Sequence, residues 1–148
     1  MIPVRTAFVA VLTFTAVVAM RPVLAEDAAS YQNLLTPILS GNQTIIGQEI
    51  AYPDGTAKVT AAIVTIPAGG ETGWHTHEVP LFVYVLDGEV TVDYGDKGVK
   101  AYKPGDGFLE AMNWPHNGTN KTDAPVRIFA VYMGVEGVAT ATPAAGPQ

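Results

Sequence analysis

The residues with the clearest chemistry are the chain's three histidines, His75, His77 and His116. His75 and His77 are spaced so that a β-strand would project both imidazoles from one face. The glycines of residues 69–74 let the backbone turn sharply just before this pair. His116 lies 39 residues after His77, and distant strands meet in the interior of a barrel. The histidines therefore predict a site for one divalent metal ion, although an isolated His-x-His pair is more often two solvated imidazoles.

Two carboxylates stand near these histidines in the sequence. Glu78 follows His77 directly and should face the opposite way if the strand continues, unless Pro80 breaks the alternation. Glu110 precedes His116 by six residues and is the main candidate. We predict it as a catalytic residue, either as a metal ligand or as a partner of a metal-bound imidazole. A solvated strand residue is the simpler alternative.

Large apolar and aromatic residues surround the histidines in the sequence. They predict the wall of a substrate pocket, with ordinary barrel packing as the alternative interpretation. The candidates are Trp74, Leu81, Met112 and Trp114. Tyr84 is a second catalytic candidate, because its hydroxyl group could contact a substrate.

The elements that must position these residues are short strands separated by turns. Runs of β-branched and aromatic residues alternate with clusters of Pro, Gly and Asp, which is typical of an all-β sandwich or barrel. Residues 89–94 alternate apolar and polar side chains, and the turn at 95–98 predicts a hairpin with residues 99–102. The predicted strands are 44–52, 58–66, 81–86, 89–94, 99–102, 108–111 and 126–133.

The N-terminus is typical of a secretory signal. Arg5 precedes a long uncharged run, and Val23 and Ala25 offer the small residues that signal peptidase accepts. We therefore predict that residues 1–25 are removed and that the protein is exported, to the periplasm or the medium. A membrane anchor is the alternative, but Arg21 interrupts the apolar run before the roughly 20 residues that a spanning helix needs. We expect no membrane insertion after cleavage.

The rest of the chain fits one domain. Residues 26–43 are predicted as an N-terminal extension, residues 44–136 as the barrel, and residues 137–148, rich in Ala, Thr, Pro and Gly, as a disordered tail. The formal net charge is −6, which argues against nucleic acid as a partner. The sequence contains no cysteine, so disulfides and thiol chemistry are excluded.

Two segments resemble the two motifs of the cupin superfamily. The first is matched by Gly69, the His-Thr-His run at 75–77 and residues 84–89. The second is matched by residues 104–106, residues 115–116 and Asn120. The resemblance covers residues 44–133. It implies a double-stranded β-helix, the cupin or jelly-roll barrel, that binds one Fe, Mn, Ni, Cu or Zn ion and commonly forms a homodimer.

The sequence departs from this family at one position. The family commonly places a glutamate ligand three residues before the motif tyrosine, and here that position is Leu81. Three neutral imidazoles leave a divalent ion its full charge and up to three open positions, which favours anionic bidentate ligands.

Resemblance to quercetinase-like and diketone-cleaving cupins implies a metal-dependent dioxygenase, an oxidoreductase of a small enolic or phenolic metabolite. One alternative is a non-redox isomerase or lyase of a small sugar acid or similar metabolite, with Tyr84 or Glu110 as the base. Another is a non-catalytic periplasmic module that binds a small molecule.

Overall fold

The computed structural model describes residues 31–146. The predicted signal, the first residues of the predicted N-terminal extension and the last two residues of the chain lie outside the described residues. Residues 31–36 and residues 37–146 fall in two different units, and every strand below belongs to the second. Between residues 31 and 146, no helix has the length and apolar composition needed to cross a bilayer.

Short antiparallel strands make up the second unit, which confirms the all-β prediction. In chain order they are β1 (Ala57–Ile66), β2 (His75–Thr76), β3 (Leu81–Asp87), β4 (Val90–Asp93), β5 (Val99–Tyr102), β6 (Gly107–Leu109), β7 (Asn117–Thr119), β8 (Val126–Val135) and β9 (Thr142–Pro143). A 3₁₀ turn at Gly95–Lys97 joins β4 to β5, where the sequence predicts a hairpin.

The strands form three sheets. One has the order β1-β8-β3-β6, the second has the order β5-β4-β7, and the third is the pair β2-β9. Apolar residues from β3, β4 and β8 share one buried core, and each fully buried valine among them contributes roughly 1.5–3 kcal/mol. The central members of this core are Val83, Val85, Val90, Val92, Val126 and Ile128.

The predicted strand at residues 44–52 is wrong. Its first part folds into a tight turn, in which the Thr44 amide donates to the Gln48 carbonyl oxygen at 2.8 Å and the Gly47 amide donates to the Thr44 carbonyl oxygen at 2.9 Å. Gly47 has a φ of 83°, a left-handed conformation that glycine adopts without strain. Local hydrogen bonding in this segment therefore outweighs the strand propensity of its β-branched residues.

The prediction that the tail is disordered is also wrong for residues 137–146. Within this C-terminal segment, β9 pairs antiparallel with β2, so that Thr142 lies opposite Thr76 and Pro143 opposite His75. The Ala144 amide extends the pairing by donating to the Trp74 carbonyl oxygen at 3.0 Å. Most side chains of this segment are small, so its position is fixed by backbone hydrogen bonds to a distant strand.

Candidate metal centre

The structure brings the three predicted metal ligands together. His75 lies in β2 and His116 directly precedes β7, and the two residues exchange backbone hydrogen bonds of 3.0 Å in both directions. His77 lies two residues beyond His75, on the same face. One ring nitrogen from each histidine can be chosen so that the three atoms lie within 4.8 Å of one another.

The other ring nitrogen of each histidine contacts a backbone carbonyl oxygen. Since a carbonyl oxygen can only accept, each Nδ1 carries the proton and each Nε2 keeps its lone pair for a metal ion. The acceptors are Gly73 for His75 at 2.7 Å, Thr140 for His77 at 2.6 Å and Trp114 for His116 at 2.8 Å.

His116 shows most directly that these residues fit a metal ion. Within residues 31–146, its Nε2 is the one buried side-chain nitrogen or oxygen without a hydrogen-bond partner. Leaving such an atom unsatisfied costs about 1–3 kcal/mol, and a cation placed among the three rings would satisfy it. Imidazole ligands suit Zn, Cu, Fe and Ni.

The protonation state of the rings also suits metal binding. Burial lowers the pKa of His75 and of His116 below the ordinary value for histidine. It lowers the pKa of His77 to about 4. The neutral imidazoles that a metal ion requires therefore predominate at neutral pH.

Glu110 is the carboxylate nearest to these rings. Its side chain is almost fully buried, and Oε2 lies 3.9 Å from the Nε2 atom of His116. Its Oε1 accepts a hydrogen bond of 2.6 Å from the Ala111 amide, and burial raises the pKa of its carboxyl to about 7. Glu78, the other carboxylate considered, is exposed. Glu110 can therefore act on whatever binds at the three histidines.

Glu110 lies beside Leu81, the position at which the resembled family commonly has a glutamate. The Glu110 amide donates to the Leu81 carbonyl oxygen at 2.9 Å, so the two residues are neighbours across adjacent strands. A carboxylate thus reaches the site from the end of β6, while the family position on β3 carries a leucine.

The histidines and Glu110 open onto a cavity of about 80 Å³. Apolar side chains form most of its remaining wall, and they include Leu81, Val83, Val90, Val92, Phe108 and Ile128. The cavity is small beside the roughly 300–1,000 Å³ of typical ligand pockets, so it accepts only a small molecule, or part of one, whose polar atoms point toward the histidines.

Comparison with known proteins identifies the domain. A model of the family described as the cupin domain matches residues 62–132. This chain carries a cupin domain. No curated protein matches the sequence significantly.

Solved structures share the fold. An oxalate decarboxylase from Lactobacillus farciminis is 21% identical with a TM-score of 0.50, over 57% of this chain and 26% of that chain. The DMSP lyase DddQ from Ruegeria pomeroyi DSS-3 is 22% identical with a TM-score of 0.51, over 57% and 42%. This chain spans less than half the length of either protein.

Of the remaining predicted site residues, Tyr84 does not line the cavity. Tyr84 lies on the other face of β3, opposite Phe129 and Gly107, because side chains alternate along the strand. The catalytic role predicted for it therefore has no support in the structure. Tyr132 of β8, which the sequence analysis missed, lines the cavity instead and packs against His77 with ring centroids 5.6 Å apart.

The predicted pocket wall needs a similar correction. Leu81 lines the cavity, whereas Trp74, Met112 and Trp114 do not. The Trp114 indole donates to the Tyr94 carbonyl oxygen at 2.8 Å, and the backbone of Met112 is bonded by the Gln48 side chain. Trp114 and Met112 therefore stabilise the loop that carries His116.

Proposed function

We propose that this cupin is a metal-dependent enzyme of dioxygenase type that acts on a small enolic or phenolic metabolite. The supporting observation is the convergence of three neutral imidazoles and one buried carboxyl group on a single small cavity. His75, His77 and His116 would hold one Fe, Mn, Ni, Cu or Zn ion. When bound, the ion supplies positive charge that favours the anionic form of a substrate oxygen.

The chain's own residues supply the remaining chemistry. Glu110 is placed to take the proton of the enolic or phenolic hydroxyl, because its carboxyl is buried beside the ligand His116. The apolar walls exclude water from the resulting anion. Both atoms of dioxygen enter the product in a dioxygenase reaction, so the substrate is the reductant and no further reductant is needed.

A second candidate function rests on the same carboxyl group. A buried glutamate beside a metal site can equally take a proton from carbon, which would suit a non-redox isomerase or lyase of a small sugar acid or similar metabolite. This reaction would proceed without dioxygen. Cupins support many reactions, so the fold does not decide between the two candidates.

Oxygen uptake by the metal-loaded protein tests the proposal. The protein would be loaded with each of the five metals in turn and offered a panel of small enolic and phenolic compounds. We expect one dioxygen consumed per substrate molecule, with no activity in His116→Ala. Turnover under argon would favour the isomerase or lyase, and saturable binding without turnover would indicate a binding module.

We also propose that the active form is a homodimer. Val59 and Ile63 lie on the face of β1 turned away from the cavity, and they are 67% and 47% exposed. Their partners on β8 are Met133 and Phe129, so this sheet face is apolar across two strands. A second copy would cover it. Light scattering should give twice the mature mass and a monomer for Ile63→Lys, whereas a wild-type monomer at high concentration would contradict the proposal.

Export and signal removal are part of the same proposal. We expect N-terminal sequencing of protein from the periplasm or the medium to begin at Glu26. Recovery of intact protein beginning at Met1 in a membrane fraction would contradict it.

A further inference from the structure

The C-terminal segment, residues 137–146, contacts the metal centre directly. Its β9 strand pairs with β2, the strand that carries His75. Ahead of that strand, the Thr140 carbonyl oxygen lies 2.6 Å from the Nδ1 atom of His77. A segment at the end of the chain therefore provides the hydrogen bond that orients one of the three ligands.

His77 differs in this respect from the other two histidines. His75 and His116 find their carbonyl acceptors only two residues earlier in the chain, at Gly73 and Trp114. The acceptor for His77 is 63 residues away. The rings of His75 and His116 are therefore oriented by their own loops, whereas the ring of His77 is oriented only while the C-terminal segment is docked.

We propose that the C-terminal segment is a positioning element of the metal centre, in which the Thr140 carbonyl oxygen holds the His77 ring with its Nε2 directed at the ion. This inference rests on the metal site proposed above. Losing the hydrogen-bond partner of a ligand typically weakens metal binding ~10- to 100-fold. Because coupling is reciprocal, the bound ion must also stabilise the docked segment.

Two variants release the segment in different ways. A chain that ends at Glu136 lacks it entirely. Ala144→Pro keeps it but removes the amide that donates to the Trp74 carbonyl oxygen. Ala144→Ser retains that amide and serves as the matched control. Thr142→Ser is a second control, because the Thr142 side chain is exposed and the substitution leaves the backbone of the segment unchanged.

Zn²⁺ affinity, measured by competition with a chromophoric chelator, is the main measurement. We expect the shortened chain and Ala144→Pro to bind Zn²⁺ at least ~10-fold more weakly than the wild type, with both controls within about twofold. The absorption spectrum of bound Co²⁺ should change in the two release variants and not in the controls. A segment that only stabilised the fold would lower the melting temperature without altering this spectrum.

A double-mutant cycle tests whether the segment acts through His77. Cu²⁺ has the highest affinity in its series, which keeps binding to a two-histidine site measurable. Shortening the chain should weaken Cu²⁺ binding in the wild-type background and have little further effect in His77→Ala. An equal loss in both backgrounds would overturn the inference. Hydrogen exchange at the Ala144 amide should also slow when Zn²⁺ binds.

The outcomes separate this inference from the proposed function. If the wild type binds none of Zn²⁺, Co²⁺ and Cu²⁺, the metal site itself is wrong and the inference fails with it. If the wild type binds them and the shortened chain binds them equally tightly, only the inference is overturned. If the shortened chain does not fold, the Zn²⁺ affinity of Ala144→Pro decides whether the inference holds. Hydrogen exchange would first show that the segment has been released in this variant.

Discussion

The two faces of β3 carry similar residues and have different roles. Leu81 and Val83 are buried on the inner face and line the cavity below the histidines. Phe82 and Tyr84 are half-buried on the outer face, which belongs to the apolar surface that we propose as a dimer interface. The types of residue do not distinguish the two faces, since both faces carry large apolar side chains.

Strand register determines which of these side chains face the cavity. Leu81 pairs with Tyr132 of β8, while Tyr84 pairs with Phe129, so one tyrosine faces the cavity and the other faces away. A shift of one residue would exchange the two faces. A residue's place in the pleat, rather than its chemical type, therefore decides whether it can serve this site.

The largest effect is expected on the cavity side, from removing one of the metal ligands. His116→Ala should weaken binding of a divalent ion by more than ~100-fold, beyond the cost of losing a ligand's hydrogen-bond partner, because two imidazoles chelate poorly beside three. His75→Ala and His77→Ala should behave similarly. Competition with a chelator measures the affinity, and circular dichroism confirms the fold. Wild-type affinity in any one of these variants would remove that histidine from the site.

Glu110→Gln should affect turnover and spare the metal. The substitution keeps the size of the side chain and removes the group that takes the proton, so we expect turnover ~10- to 100-fold slower with metal content nearly unchanged. Elemental analysis and initial rates measure the two quantities separately. If this variant loses metal as completely as His116→Ala, Glu110 is a fourth ligand, and the argument for a bidentate anionic substrate fails.

Leu81→Glu restores the family carboxylate on the inner face and should move two quantities in opposite directions. An added anion beside the ion should strengthen metal retention and weaken the binding of anionic substrates, each by about tenfold, or 1.4 kcal/mol. Leu81→Gln is the matched control of similar size without the charge. Parallel changes in metal retention and anion affinity would contradict the electrostatic explanation.

The smallest effects should come from the two tyrosines and should distinguish the faces most finely. Tyr84→Phe should leave turnover within about twofold, because the hydroxyl points away from the cavity. Tyr132→Phe removes a hydroxyl from the cavity wall and should lower turnover several-fold, since a hydrogen bond contributes about 0.5–1.5 kcal/mol. Initial rates of the two variants measure this difference. A larger loss of turnover in Tyr84→Phe than in Tyr132→Phe would reverse our assignment of the faces.

Much of the site could be predicted because its signals are local. The spacing of His75 and His77 places both rings on one face, and the turn residues mark most of the strands correctly. That His116 would join them was predicted from the expected barrel. The approach of Glu110 to His116 has no such local signal, since it depends on how the chain leaves β6.

The remaining features depend on distant contacts that have no local signal. Residues 137–146 have weak strand propensity and are ordered by backbone hydrogen bonds to β2, which cannot be read from their own side chains. The continuous apolar run of β3 hides which residues face inward, so the roles of Tyr84 and Tyr132 could not be told apart. Period-two alternation along β8, through Ile128, Ala130 and Tyr132, is the signal that could have identified Tyr132.

Metal stoichiometry tests the central claim most directly. Purified protein would be incubated with an excess of a divalent ion, freed of unbound metal and analysed for its elements, alongside the three single His→Ala variants. We expect about one ion per chain in the wild type and well below one in each variant. A wild type that retains no ion, or three variants that each retain the full wild-type amount, would contradict a metal centre built on His75, His77 and His116.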